Sequence, residues 1–450
     1  MSAASFLAVF LAAASTRLLT AEPLTLQEAI ETARANNPQL LESAASAAAA
    51  QEAHREARLS RLPTFELREV ALRTDSPADT FGLKLMQEKF SFPDFVASDP
   101  NAPEPVTNFA TEIQASVPLY TGGRITAGIG QAAQMANASV AMRARTGEAV
   151  EFMVASAYMN LLLADRFVEL AQKARDTTGR HVEQAQAYFD AGMIVESDLL
   201  QARVQMARME EALISARNNA RLARAGLNRA MGVDQSRAYD LDPSLPEAAL
   251  DWKNLDDAIS AASDRRQDLR AVAAKVNAAS LAITRARGEY LPEVALVGKI
   301  AINDDRVFGG NGRSYTVMAL ARWNFWNWGQ TQARVARSRS EHVAALEAQR
   351  GYRQQVEFEV REAWQAVEDA RARSQVASAA VASAEKALAI LDARFEQGVT
   401  KVTDLLDAET MLNEARARAL QAGFDSERSM RALGFATGQP NAASHGSEER

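Results

Sequence analysis

Alternating side-chain polarity marks three β-strands in the chain. The apolar faces would consist of Phe109, Thr111, Ile113, Ala115, Val117 and Leu119 in the first, Val294, Leu296, Gly298 and Ile300 in the second, and Tyr315, Val317, Ala319, Ala321, Trp323 and Phe325 in the third. Residues such as Glu112, Lys299 and Thr316 fall between them. Because successive side chains of a strand point to opposite faces, each segment predicts one apolar and one polar face. A fourth strand, with poorer alternation, is predicted from Thr64 to Arg73.

Two very long helices are the second feature of the pattern. After Gly123 and after Gly329 the chain continues without proline to Phe189 and Phe395. Each stretch has about 67 residues and predicts a helix of roughly 100 Å. A helix of that length needs partners along its whole surface. Seam-like spacing is found at Val150, Val154, Ala157, Leu161 and Phe167. We therefore expect a coiled coil or a helical barrel.

Each long helix is predicted to turn at a glycine and return. Gly192 and Gly398 break the helices, and the motifs Asp198-Leu-Leu-Gln201 and Asp404-Leu-Leu-Asp407 restart them. Glycine is suited to such a turn because it adopts positive φ without steric cost. The return helices are predicted to end near Met231 and Leu433.

The segment before the first strand is predicted to be one helix. Thr25 is its expected N-cap and Glu28 the partner in a capping box. The helix is expected to continue to about Ser60, where Leu62-Pro63 stops it. The Pro-rich insert from Asp75 to Thr107 follows the first strand.

The sequence contains an internal repeat. The motif from Phe189 to Ala202 returns from Phe395 to Ala408, at an offset of about 206 residues, which is too long for a stacked solenoid repeat. We therefore expect two copies of one large unit. The predicted divisions are a signal peptide at 1–21, the first copy at 22–233, a linker at 234–254, the second copy at 255–437 and a disordered tail at 438–450.

Composition narrows the functional classes. The 450 residues carry a net charge of −7 with positive and negative residues interleaved, so nucleic acid is an unfavourable partner. No cysteine is present, which excludes disulfides and zinc–thiolate sites. The four histidines, His54, His181, His342 and His445, lack the paired spacing of a metal site and are interpreted as surface residues. We predict no cofactor, no metal and no enzymatic activity.

One glycine-rich segment invites a phosphate-loop interpretation. Residues 308–312 read Phe-Gly-Gly-Asn-Gly but lack the Gly-Lys-Ser/Thr ending, and they precede a strand instead of a helix. We interpret this segment as a hairpin loop.

The number of strands bears on whether the protein lies in a membrane or in solution. Four strands are too few to close a barrel, and the sheet would keep two open edges. If the strands lie in lipid, several chains must therefore share one closed wall. The alternative is a soluble periplasmic coiled-coil adaptor or structural protein whose strands cover a core.

Aromatic residues cluster where strands lead into helices. Tyr120, Trp323, Trp326 and Trp328 are predicted to form an interfacial belt at the membrane surface. The alternative is that they fill a small core at this junction.

Together the two tip motifs, the Leu62-Pro63 and Leu291-Pro292 strand entries, the strand exit from Val117 to Gly123 and the doubled order resemble the TolC family of outer membrane efflux proteins. The resemblance covers the chain from about Leu24 to Gly438. It implies a mainly α fold with a small β part: three chains of four transmembrane strands form a 12-stranded barrel, continued by an α-barrel of long antiparallel helical hairpins.

The resemblance also implies a role and partners. The protein would be a homotrimeric outer membrane channel of a Gram-negative bacterium with a long periplasmic extension. It would serve as the passive exit duct of a tripartite efflux or type I secretion system, docking with a periplasmic membrane fusion adaptor and, through it, an inner membrane pump. The implied docking tips are Gly192, Met193, Ile194, Gly398, Val399 and Thr400.

The resemblance further implies a periplasmic gate at Asp404, Asp407, Asp198 and Phe395. The open alternative is helix capping, with Asp404 as an N-cap and Asp407 as its third residue; for Asp198 we favour capping. The family has tyrosine and arginine where this chain has Phe395 and Thr400, although Lys401 offers a cation one place along. We therefore expect packing between hairpins to hold the closed state more than polar links do.

Overall fold

The computed structural model describes residues 23–93, 99, 101–245 and 252–439. The predicted signal peptide at 1–21 lies outside these residues, as does the predicted tail from residue 440 onward.

The described chain is mainly helical with one small sheet. The helices are α1 Leu26–Asn36, α2 Pro38–Leu59, α3 Pro77–Met86, α4 Arg124–Asp190, α5 Glu196–Met231, α6 Leu255–Arg265, α7 Gln267–Arg287, α8 Gln330–Glu396 and α9 Val402–Thr437. The strands are β1 Thr64–Thr74, β2 Val106–Tyr120, β3 Glu293–Asp304 and β4 Arg313–Arg322.

Two compact units divide the chain. The hairpin unit comprises the described parts of Met1–Leu40, Gly147–Ile259 and Glu359–Arg450. The sheet unit comprises the described parts of Leu41–Thr146 and Ser260–Phe358. Each unit therefore takes segments from both halves of the sequence.

The predicted long helices are confirmed. Helices α4 and α8 each contain 67 residues, and the return helices α5 and α9 each contain 36. Within the described residues, no helix has an apolar stretch sufficient to cross a bilayer.

The first predicted helix is correct at its start and wrong in its length. Thr25 and Glu28 form the expected capping box. The helix is interrupted at Asn37, because the residue before Pro38 is sterically disfavoured in the helical region. The Asn37 side chain accepts a hydrogen bond from the Gln39 amide at 2.9 Å and so begins α2.

The segment after α5 is anchored to the hairpin unit. Leu24 and Leu241 form a parallel β-bridge. The hydroxyl of Tyr158, fully buried, lies 2.7 Å from the Leu24 carbonyl oxygen and 2.8 Å from that of Asp242. Burial raises the pKa of Tyr158 to about 12, so it remains a neutral donor at physiological pH. The predicted linker is thus attached to the hairpin unit at Leu241 and Asp242.

The sheet unit contains the four predicted strands in one antiparallel sheet. Their order is β1-β2-β3-β4, so β1 and β4 are the two edges. The loop between β3 and β4 includes residues 308–312, as predicted for a hairpin loop.

Strand register brings the predicted apolar positions onto one face. Opposite residues form the row Leu67, Ile113, Ile300 and Tyr315. We call this the apolar face. Its side chains are largely exposed in the single chain, with Tyr315 at 83%. The face therefore requires a covering that one chain does not provide.

The other side, the polar face, carries the row Glu66, Gln114, Lys299 and Thr316. The ammonium of Lys299 lies 2.7 Å from the Glu112 carboxylate on this face. The sheet therefore separates an oily surface from a charged one.

Glu69 is an exception on the apolar face. One oxygen of its carboxylate, Oε2, accepts a hydrogen bond from the Thr111 hydroxyl at 2.5 Å between apolar neighbours.

Candidate functional site

The hairpin tips are tight turns with glycine where positive φ is required. Gly192 has φ +74° and Gly398 has φ +70°, and a Cβ at either position would meet no neighbouring atom. Glycine is therefore needed for backbone conformation and not for space. Met193 and Val399 are exposed beside these turns.

Two of the predicted docking residues turn partly inward. Ile194 packs against the buried cluster beneath the tips. The Thr400 hydroxyl donates to the Asp404 carboxylate at 3.0 Å. The exposed apolar part of the tips therefore consists of Met193, Val195 and Val399.

The aspartates do not cap the return helices. The N-cap positions are Val195 and Lys401, neither of which makes a side-chain cap hydrogen bond, and Asp198 and Asp404 are the third helical residues. The capping interpretation of Asp198 and Asp404 is therefore wrong. A carboxylate in the first turn still interacts favourably with the helix dipole.

Asp404 and Asp407 lie exposed, three residues apart on α9. Asp407 shares a groove between α5 and α9 with Arg208, a cation that the sequence analysis missed. Sequence distance hid this proximity, since only hairpin packing brings the two helices together.

Phe395 is a packing residue. Its side chain is 2% exposed, and its ring centroid lies 5.5 Å from that of Tyr188. The surrounding cluster, which we call the tip core, joins both hairpins. It contains Ala185, Leu199, Ala202, Phe395, Val402, Leu405 and Leu406. Apolar contacts therefore hold the two hairpins of one chain together beneath the tips.

His181 is not the surface residue that was predicted. Its side chain is only 13% exposed, and Nε2 lies 3.4 Å from a Glu409 carboxylate oxygen. The Thr178 hydroxyl donates to the other Glu409 oxygen at 3.4 Å. The histidine was misassigned because its partner lies on the second hairpin, far along the sequence.

Protonation of His181 is expected to stabilise this contact. The hydrogen bond with Glu409 raises the pKa of His181, opposed by partial burial; Asp392 raises it further and Arg180 lowers it. A raised native pKa gives stability that is full below the unfolded value of about 6.5 and lost as pH rises through the native pKa.

The His181→Gln variant should therefore lose about 1 kcal/mol at low pH and little above the native pKa. Thermal unfolding of both proteins across pH 5 to 9 measures the difference. An equal destabilisation at every pH would mean that the charge of His181 contributes nothing.

The junction aromatics lie in the sheet unit and are exposed. The fractions are 46% for Tyr120, 59% for Trp323, 65% for Trp326 and 89% for Trp328. The small-core alternative is therefore wrong. The Trp323 indole donates to the Tyr290 carbonyl oxygen at 3.0 Å, which fixes one ring at the entrance to β3.

No group of three or more His, Asp or Glu side chains suitable for a metal ion occurs among the residues that the structure describes.

Comparison with solved structures identifies the fold. The chain superposes on a membrane protein from Pseudomonas aeruginosa with a TM-score of 0.79 at 20% identity, covering 92% of each chain. The outer membrane protein VceC from Vibrio cholerae gives 0.77 at 18% identity, covering 92% of this chain and 96% of that one.

Relatives found by sequence are also outer membrane proteins. The outer membrane protein TolC of Vibrio cholerae is 24% identical over 89% of this chain and 87% of its own length. The outer membrane efflux protein BepC of Brucella suis is 23% identical over 65% of this chain and 63% of its own length.

The sequence profile of one family, described as outer membrane efflux protein, matches residues 29–233 and 258–439. These two segments cover most of the chain. The match supports an efflux channel in the outer membrane, a passive conduit without enzymatic activity, and disfavours the soluble adaptor alternative. The chain belongs to the outer membrane efflux protein family.

Proposed function

We propose that this protein is the homotrimeric exit duct of a tripartite efflux or type I secretion system. Three chains would pool their strands into a 12-stranded barrel in the outer membrane. Energy for transport would come from an inner membrane pump, reached through a periplasmic membrane fusion adaptor.

One observation carries the proposal. The apolar row Leu67, Ile113, Ile300 and Tyr315 spans all four strands and is exposed, while β1 and β4 remain without an outer neighbour among the described strands. Lipid would cover the face, and identical chains would pair the edges. The charged polar face would then line the lumen.

The tips supply the proposed docking surface. Exposed Met193 and Val399 beside glycine turns suit apolar contact with helices of an adaptor. Asp404 and Asp407, repeated by three-fold symmetry, would place six carboxylates about the axis and favour cations. Tyr120 and the three tryptophans would form the interfacial belt.

Adjacent residues on opposite faces of β4 provide the test. Val317→Arg would place a guanidinium in lipid at a cost of about 2–4 kcal/mol near the membrane midplane. Thr316→Arg would place it on the polar face. We expect only Val317→Arg to reduce the heat-modifiable trimer in outer membrane fractions.

Equal trimer yields for both variants would contradict the assignment of the faces. A stable monomer in the aqueous fraction would contradict the shared barrel itself.

Docking is tested separately by cross-linking a Met193→Cys variant to co-expressed adaptor, with Thr316→Cys as the control remote in sequence from the tip.

A further inference from the structure

The insert between β1 and β2 contains a helix that the sequence analysis did not predict. Helix α3 begins at Pro77, with Asp79 in its first turn, and ends at Met86. Its connection to the sheet determines which face of the sheet it covers.

A chain of buried amides attaches the end of α3 to the sheet. Gln87 donates through Nε2 to the Thr107 carbonyl oxygen at 2.8 Å and to Asn108 Oδ1 at 2.9 Å. Asn108 in turn donates to Asn303 Oδ1 at 2.9 Å. We call Gln87, Asn108 and Asn303 the amide clamp. All three side chains are buried, so loss of one partner would leave a neighbour unsatisfied.

The amide clamp lies on the polar face. Asn108 is four residues before Glu112 on β2, and Asn303 is four residues after Lys299 on β3. Because strand side chains repeat every two residues, these four share one side of the sheet. Helix α3 is therefore fastened to the side that carries charge.

Burial agrees with this placement. On α3, Thr80, Leu83 and Gln87 at the helix end are buried. On β3, Ala301 beside the clamp is buried, whereas Ile300 on the apolar face is exposed. The helix thus covers one end of the polar face and leaves Ile300 on the apolar face exposed.

The β3–β4 loop fixes the end of α3 from the other side. The ammonium of Lys89 lies 2.6 Å from the Asp305 carboxylate. A Cβ at Gly312 would overlap the Met86 carbonyl oxygen, so the loop passes directly against the helix end. Contacts on two sides give α3 a defined position.

We propose that α3 lies within the outer mouth of the channel and sets the largest solute that passes there. The inference rests on the proposed function, because the polar face must line the lumen. Three copies would narrow the mouth at the same level. The sheet end that bears α3 is opposite the end that leads into α4 and α8, which makes it the outer end.

The absence of native cysteine permits a direct test. Leu85 is exposed and lies about 200° around the helix from buried Leu83, so it would point towards the channel axis. A Leu85→Cys variant is reacted with a positively charged methanethiosulfonate in planar lipid bilayers. We expect single-channel conductance to fall by about half, because a positive group in a constriction repels the cations that the carboxylates at the tips favour.

Two matched cysteine variants serve as controls for this labelling experiment. Thr316→Cys on the polar face should also respond, and Val317→Cys on the apolar face should not. If labelled Thr316→Cys responds and labelled Leu85→Cys does not, the position of α3 is wrong and the channel assignment survives. If Thr316→Cys gives no response after confirmed labelling, the lumen assignment itself fails, and the inference with it.

Release of the amide clamp gives an independent measurement. Gln87→Ala together with Asn108→Ala should free α3 and raise conductance about twofold, because the mouth widens. Unchanged conductance with an intact trimer would mean that α3 does not limit the opening.

Discussion

Replacing Asp268 by asparagine is expected to lower the free energy of unfolding of the sheet unit by about 3–5 kcal/mol, because it removes the negative member of a buried ion pair. Asp268 is 2% exposed. Arg266 donates to it through Nε at 3.1 Å and through a terminal nitrogen at 2.6 Å. Arg145 Nε lies 3.4 Å away, and the Tyr352 hydroxyl donates at 2.9 Å.

The geometry explains the size of this effect. Arg145 belongs to α4, Asp268 to α7 and Tyr352 to α8, so one carboxylate joins three helices of the sheet unit. Both arginines are themselves buried. Asparagine would keep the side-chain volume but leave two guanidinium groups without their shared counter-charge.

Lowering the pH should destabilise the protein as the substitution does, because protonation removes the negative charge of Asp268. Burial alone would raise the pKa of Asp268, but the hydrogen bonds and charges of the two arginines and the Tyr352 hydroxyl hold it below its ordinary value. A lowered native pKa gives stability that is present above the unfolded value of about 3.9 and lost as pH falls through the native pKa.

Thermal or denaturant unfolding of the protein in detergent measures both effects. Asp369→Asn is the matched control, since Asp369 pairs with Arg373 on an exposed helix surface, where a salt bridge contributes about 0.3–0.5 kcal/mol. Similar losses in the two variants would show that the buried cluster contributes no more than a surface pair.

Truncating Phe395 to alanine is expected to loosen the tips and raise the conductance of the closed channel. The substitution removes the aromatic side chain from the tip core, where large-to-small changes cost about 3–5 kcal/mol. Because the tip core joins the two hairpins of one chain, its loss weakens their contact directly. Phe358→Ala, at an exposed helix position, is the control.

Comparing Phe395→Ala with a double aspartate variant shows whether packing or charge contributes more to closing the channel. Asp404→Ala with Asp407→Ala should reduce cation selectivity and open the channel less than Phe395→Ala does, because Asp404 bonds only to Thr400 across its own turn in the described structure. Bilayer conductance measures all three proteins. A larger opening in the double aspartate variant would reverse the proposed order, and an unchanged conductance would remove both aspartates from the gate.

The sequence predicted most of the elements and both faces of the sheet. Alternation over ten residues is local information, and it placed Ile113, Ile300 and Tyr315 on the apolar faces of their strands correctly. Proline-free stretches bounded by glycines gave two 67-residue helices. The break at Asn37 was missed although Pro38 signals it, because the alanine-rich pattern continues on both sides.

What the sequence by itself determined is most of the secondary structure, the amphipathic faces of three strands and the family. These depend on local spacing and on motifs that remain recognisable in one dimension. Only the tertiary structure decided that His181 faces Glu409, that Asp268 lies between Arg145 and Arg266, and that α3 covers the polar face. Each of these requires partners from different helices or strands, and a polar side chain's burial and charge state depend on neighbours that only packing supplies.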